Sequence, residues 1–244
     1  MHRFYADESR IVDDAAHLTP EDARHATRVL RMSPGEQAEV FLQGRRYLGE
    51  ISEITADDVT LRLLEALPST EARLRVKLYQ GLPKADKMEL IIQKAVELGA
   101  EAIVPVAMSR CVVRLDERDG RKKQERWQKI AREACKQSGR CLMPEVDAPI
   151  PFKELLNRLP RHDAAIVPWE DARGYSLNAF HREHPAVTSL AVVIGPEGGM
   201  AAEEIEAMKQ AGCLPVTLGP RILRTETAGL AAISALMCLY QEME

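Results

Sequence analysis

Five cysteines, at 111, 135, 141, 213 and 238, are few for 244 residues, odd in number, and form no C-x-x-C pair. With no secretory leader and no apolar run long enough to span a bilayer, the expectation is a cytoplasmic protein with reduced thiols and no membrane contact. The pair His181-x-x-His184 has no cysteine or carboxylate nearby at ligand spacing, so no metal is expected. Two nucleotide signatures are missing as well. No G-x-x-x-x-G-K-[ST] occurs, and Gly195-Pro196-Glu197-Gly198-Gly199 lacks the spacing of G-x-G-x-x-G. A phosphate-cradling ATPase and a standard dinucleotide enzyme are therefore disfavoured. Aromatic residues make up only 5%, yet 45% hydrophobic content is ample for a conventional core.

Excess positive charge is also missing overall, the net being −4, but the distribution is uneven. Between Arg110 and Arg140 there are eleven Lys/Arg against five Asp/Glu, a local +6. A second basic cluster holds Arg24, Arg28, Arg31, Arg45 and Arg46. An RNA partner is thus compatible with the composition.

What is present is concentrated between residues 190 and 230. Leu190-Ala191-Val192-Val193-Ile194 is an unbroken apolar run, as expected of a strand buried on both faces of a parallel sheet. Gly195-Pro196-Glu197-Gly198-Gly199 and a helix follow it. The pattern repeats with Val216-Thr217-Leu218, then Gly219-Pro220-Arg221-Ile222-Leu223-Arg224, then a last helix beginning near Thr225. Ligands of open α/β sheets sit beyond the carboxyl ends of the strands, where both loops would lie. Proline stiffens such loops and glycine lets main chain approach a ligand, which suits a neutral or cationic heterocycle better than a phosphate. Pro168-Trp169-Glu170, after the buried run Ala164-Ala165-Ile166-Val167, belongs at the same edge. Trp169 there either covers a ligand or plugs the core.

Residues 1 to about 70 read as a separate unit. Alternating runs at 38–42 and 47–51 flank Gln43-Gly44-Arg45-Arg46, a hairpin signal, and 59–63 is a further strand. Thr19 and Pro20 open an intervening helix whose dipole favours Glu21 and Asp22. On that helix Ala26, Val29 and Leu30 are expected to face inward, and Arg24, Arg28 and Arg31 form a stripe that is either solvated or an RNA contact. Pro68 to Glu71 is the expected linker. Beyond it, 74–79 alternates as a strand and 102–106 reads as a buried strand, with a helix between them opened by an Asp86/Glu89 capping box, turning Met88, Ile91, Ile92, Ala95 and Leu98 inward and closed by Gly99. A helix over 123–138 is expected to turn Trp127, Ile130, Ala131 and Ala134 inward, leaving Gln137, Ser138 and Arg140 at its end, pointing out of the scaffold. Arg140 there either neutralises the helix dipole or meets RNA. The βαβ rhythm makes the larger part an α/β domain.

Ile194-Gly195-Pro196-Glu197-Gly198-Gly199, followed by Leu218-Gly219-Pro220-Arg221-Ile222-Leu223-Arg224-Thr225-Glu226-Thr227-Ala228, resembles the carboxyl half of the SPOUT methyltransferases, and within them the RsmE family. His25 to Glu36 resembles that family's amino-terminal PUA-like RNA-binding domain. The resemblance spans nearly the whole chain. It implies a PUA-like β-barrel at 1–70 and a SPOUT-type parallel sheet at 71–244 with a carboxyl-terminal trefoil knot. It also implies a homodimer, S-adenosylmethionine (SAM) as cofactor, and methylation of N3 of a uridine in 16S ribosomal RNA of the small subunit. The implied SAM site lies at about 165–230, taking Pro168 and Trp169 from one loop and Ile194, Gly195, Pro196, Glu197, Gly198 and Gly199 from the next. Leu218, Gly219, Ile222, Leu223, Arg224 and Thr227 would complete it.

Methyl transfer from a sulfonium releases a neutral leaving group, so the chemistry needs alignment and a deprotonated nucleophile rather than phosphate anchors or a metal. Loss of the N3 proton spreads negative charge over O2 and O4 of uracil, which a base or a cation would assist. Glu197 and Glu226 are candidate bases, although each also sits in a first helical turn where an acid is favoured structurally. Arg224 and Arg110 are candidate donors to the uracil oxygens or a flanking phosphate, and Arg45, Arg46, Gln137 and Arg140 join the stripe as candidate RNA contacts. Cys135 and Cys141 are disfavoured as nucleophiles. Two other readings stay open, a 2′-O-ribose methyltransferase of the same superfamily and a non-catalytic RNA-binding assembly factor.

Overall fold

The computed structural model describes residues 1–42, 44–55 and 58–243, and divides into two compact units. One comprises Met1–Glu71 with Cys135–Met143, the other Ala72–Ala134 with Pro144–Glu244.

The first unit is a closed five-stranded barrel of β1 (Arg3–Val12), β2 (Ala15–Leu18), β3 (Gln37–Leu42), β4 (Arg45–Ile54) and β5 (Val59–Leu67), in the order β1-β2-β5-β4-β3. Parallel pairing of β1 with β3 closes it. Every second residue points inward, so Phe4 and Ala6, Ala16 and Leu18, Val40 and Leu42, Val59 and Leu61 fill the interior. Of the expected hairpin turn, Gln43 lies outside the described residues, and Arg45 and Arg46 open β4.

Between β2 and β3 the helix begins as its sequence dictates. The Thr19 side chain accepts the Asp22 N–H and Pro20 takes the first position of α1 (Pro20–Arg24). It then widens into a π turn over His25–Val29, with Leu30 N–H reaching the His25 carbonyl. The wider turn rotates Val29 into solvent at 65% exposure, whereas Ala26 stays buried, so the expected apolar face loses one member. Arg24, Arg28 and Arg31 are exposed.

The segment 135–143 is tied into this unit by buried polar contacts. Arg140 does not project from the scaffold as expected, being only 6% exposed. Its guanidinium is drawn in by Glu71, 2.7 Å away, whose other oxygen accepts the N–H groups of Cys141 and Leu142. Lys136 pairs with buried Asp22 at 2.6 Å, and the Tyr5 hydroxyl donates to Cys135 Sγ at 2.8 Å. Gln137 is exposed, and its carbonyl accepts from Arg3.

The second unit is built on a seven-stranded sheet in which every pairing is parallel. Its order is β12 (Cys213–Val216), β10 (Ala164–Pro168), β11 (Ser189–Ile194), β6 (Arg75–Gly81), β7 (Ala102–Ala107), β8 (Glu145–Val146), with β9 (Ile150–Pro151) also on β7. Leu190 to Ile194 are all buried, as an apolar run in a parallel sheet requires. The strand before the last loop lies at 213–216 rather than 216–218. Backbone pairing with β10 ends at Val216, and Thr217 bridges to Ser176 instead.

The helices are α2 (Lys87–Glu97), α3 (Glu117–Ser138), α4 (Phe152–Arg158), α5 (Leu177–Glu183), α6 (Ala202–Gln210) and α7 (Thr225–Leu239). Met88, Ile91, Ile92 and Ala95 of α2 are buried as expected, whereas Leu98, at the C-cap, is only half-buried; Gly99 follows at φ +94°, as expected. The capping box is not formed. Asp86 makes no side-chain cap, and Glu89 binds Arg126 at 2.7 Å. Helix α3 starts six residues earlier than expected because the Asp116 carboxylate accepts the Asp119 N–H, and Gly120, a nominal breaker, is buried within the helix.

Candidate active site

The loops after β10, β11 and β12 all leave the carboxyl edge of the sheet; Pro168 ends β10 where the first loop begins, and Pro196 and Pro220 lie within the other two. They border a cavity of about 340 Å³ lined by Lys87, Pro168, Trp169, Glu170, Ile194, Gly195, Pro196, Glu197, Gly199, Met200 and Ile222 to Thr225, with Ala228. A second cavity of about 780 Å³ shares Trp169, Ile222, Leu223 and Ala228 and extends along Asp171–Gly174 and Thr217–Arg221. Both volumes are in the range of small-molecule sites, and their location is the one an open parallel sheet favours.

Most expected site residues are brought together here. Leu218 and Gly219 line only the larger cavity, Thr227 is exposed and lines neither, and Gly198 meets Arg110 instead. Arg110 donates to the Gly198 carbonyl at 3.2 Å, which holds it beside the loop after β11, although it lines neither cavity. The main chain of Arg224 caps α7 through its carbonyl, which accepts from Thr227 and Ala228, while its side chain lines the smaller cavity. Trp169 is half-buried, with Lys209 Nζ 5.8 Å from its ring centre.

The carboxylates are engaged. Lys87 Nζ lies 3.0 Å from Glu197 and 3.1 Å from Glu226. Burial works to raise the Glu197 carboxyl, but its own N–H, Lys87 and the Lys84 N–H outweigh it and hold the group below its ordinary value. Glu226 is held low first by its own backbone N–H and then by Lys87, and the two acids in turn raise the Lys87 ammonium.

Sequence reading missed the residues that tie the loops. The Thr225 hydroxyl donates to the Gly195 carbonyl and accepts from Gln80 Nε2, and Gln80 is fully buried in β6. Glu204 accepts the N–H groups of Ser109 and Ala201, fastening the start of α6 to the loop after β7. A polar Gln80 between apolar Tyr79 and Gly81 in a central strand was the available signal.

An all-parallel sheet with three loops at its carboxyl edge around a cavity, preceded by a small barrel, defines the class by architecture: a two-unit α/β protein with a small-molecule site at the sheet edge. The model of the RNA methyltransferase domain matches residues 70–237, and that of the RNA methyltransferase PUA domain matches 18–64. Ribosomal RNA small subunit methyltransferase E of Bacillus subtilis is 39% identical over 90% of this chain and 88% of its own. The crystal structure of the Neisseria gonorrhoeae ribosomal RNA small subunit methyltransferase E bound to S-adenosyl methionine superposes with TM-score 0.85 at 35% identity, covering 98% of each chain. A Legionella pneumophila protein solved in complex with SAM gives 0.81 at 32% identity, covering 97% of this chain and 96% of that one. The chain belongs to the ribosomal RNA small subunit methyltransferase E family.

Proposed function

We propose that this protein uses SAM to methylate N3 of a specific uridine in 16S ribosomal RNA of the small subunit. The observation that carries this reading is the convergence of the loops after β10, β11 and β12 on one cavity in a member of this family. The residues present suit the cofactor. Ile194, Leu223 and Ala228 offer apolar surface to an adenine ring, and Glu170 and Glu197 place carboxylates on the cavity where a cationic sulfonium can be met.

When bound, SAM supplies an activated methyl group, and the remaining work falls to the chain. Arg224 and Arg110 are assigned to the uracil oxygens, where guanidinium donors stabilise the charge left when the imide proton departs. Glu226, held ionised beside Lys87, is a weak proton acceptor and is assigned alignment by hydrogen bonding. In the barrel, exposed Arg24, Arg28, Arg31 and Arg45 and the exposed Gln137 are assigned to the RNA backbone. Arg46 is half-buried 3.7 Å from Glu39, and buried Arg140 supports that surface from inside. The homodimer and the trefoil knot at 165–230 rest on the family resemblance, and light scattering at known concentration tests the first.

The decisive experiment incubates purified protein with labelled SAM and small-subunit RNA, free and assembled, and identifies the methylated nucleoside by mass spectrometry. 3-Methyluridine is the expected product. A ribose-methylated nucleoside would overturn the N3 assignment, and absence of SAM binding by calorimetry would overturn the enzyme reading altogether.

A further inference from the structure

The segment after β6 braces the site from behind, and Lys87 at the start of α2 lines it. Gly81 packs against the Gly195–Pro196 peptide, the Lys84 N–H donates to Glu197 at 3.0 Å, and Lys87 opens α2 with its ammonium on the cavity. Its Nζ contacts one carboxylate from the loop after β11 and one from the first turn of α7, residues separated by 29 positions in sequence. We propose that Lys87 is a positioning residue for methyl transfer, clamping Glu197 to Glu226 so that the two cofactor loops keep one spacing around SAM. This rests on the SAM reading above.

The physics is a matter of charge count. With Lys87 in place the cluster carries two negative charges and one positive, and both acids are stable as carboxylates. Without it, two carboxylates share one wall, and like charges at short range drive one of them to take up a proton. The other charged groups lining this cavity are Arg224 and Glu170. Arg224 also favours ionised Glu226, but no contact of Arg224 or Glu170 joins Glu197 to Glu226 as Lys87 does. A tie of this kind costs little in global stability, because Lys87 is 29% exposed and the pair is partly screened. Its effect is on geometry and on proton uptake at the site.

The test is isothermal titration of SAM into the full-length wild type, K87M, K87R, E226Q and K87M/E226Q across a pH series. Wild-type affinity should be flat between about pH 5 and pH 8, since both acids are ionised throughout. K87M should bind SAM about tenfold more weakly and acquire a pH dependence in that range, as a carboxylate without its cation titrates there. K87R should return to within about threefold of wild type. The double variant should be no weaker than K87M, because the lost contact is the same one. If K87M does not fold, E226Q decides: weakened SAM binding is expected, and wild-type affinity overturns the clamp. Affinity in folded K87M within about twofold of wild type with a flat pH profile overturns it too, as do additive single effects. No heat from the wild type overturns both the clamp and the SAM reading, whereas normal wild-type binding with an inert K87M sinks the clamp alone.

Discussion

Thr225 Oγ1 lies 2.6 Å from the carbonyl oxygen of Gly195, a residue thirty positions earlier. The same hydroxyl accepts from Gln80 Nε2 at 2.9 Å, so one side chain joins the start of α7, the loop after β11 and the carboxyl end of β6. Deleting it removes the donor to the Gly195 carbonyl and one of the two acceptors of the buried Gln80 amide, the Gly81 carbonyl remaining, which costs about 1–3 kcal/mol. T225V should lower stability by that amount in urea and weaken SAM binding, and T225S should restore both. Wild-type behaviour of T225V in both assays would remove the hydroxyl from the account.

Gly81 is constrained by space rather than by conformation. A Cβ there would lie 2.7 Å from Pro196 N and 2.8 Å from its Cδ, and backbone cannot step aside as a flexible side chain can. G81A should cost about 1–3 kcal/mol by overpacking and push the loop after β11 outward. Thermal melts and SAM titration check it; an unperturbed melt would mean the loop yields freely.

The barrel unit borrows Cys135–Met143. A fragment ending at Glu71 retains Asp22, 2% exposed, without Lys136, and Glu71 without Arg140. Circular dichroism and amide exchange should show that fragment unfolded or loosely packed. In the full chain R140A should destabilise by about 3–5 kcal/mol, the usual cost of orphaning a buried charge.

Replacing Arg24, Arg28 and Arg31 with alanine should weaken RNA binding and flatten its dependence on salt, by about one unit of log–log slope for each lost phosphate contact. SAM affinity should not change. An unaltered salt slope would assign the stripe to solvent.

The pH range of the site follows from the signs of three shifts. Glu197 and Glu226 are depressed from an ordinary 4.5, so their contribution is complete above that value and is lost as pH falls through their lower folded values. Lys87 is raised from 10.5, so its contribution is complete below that value and lost as pH rises through its higher folded one. Stability attributable to this cluster should therefore stay constant from about pH 5 to pH 10 and decline outside that window. A transition near pH 6 that E197Q or E226Q abolishes would contradict this.

Much was legible in the chain itself. The apolar run Leu190–Ile194 suits a strand buried on both faces, Thr19-Pro20 suits a helix start, and the Gly-Pro loops read from the sequence do lie at the carboxyl edge of the sheet. These are local demands, fixed by side-chain periodicity and backbone sterics. Tertiary structure alone decided what lay between distant segments. Arg140 looked like an exposed cation because nothing adjacent in sequence announces Glu71 as its partner. Val29 fell out of the apolar face because a π turn, invisible to a 3.6-residue period, rotated it away. Glu197 and Glu226 looked like free bases until the fold set Lys87 between them. An ion pair or a shared hydroxyl depends on where separate strands end in space, and that is set by sheet order, which no local pattern encodes.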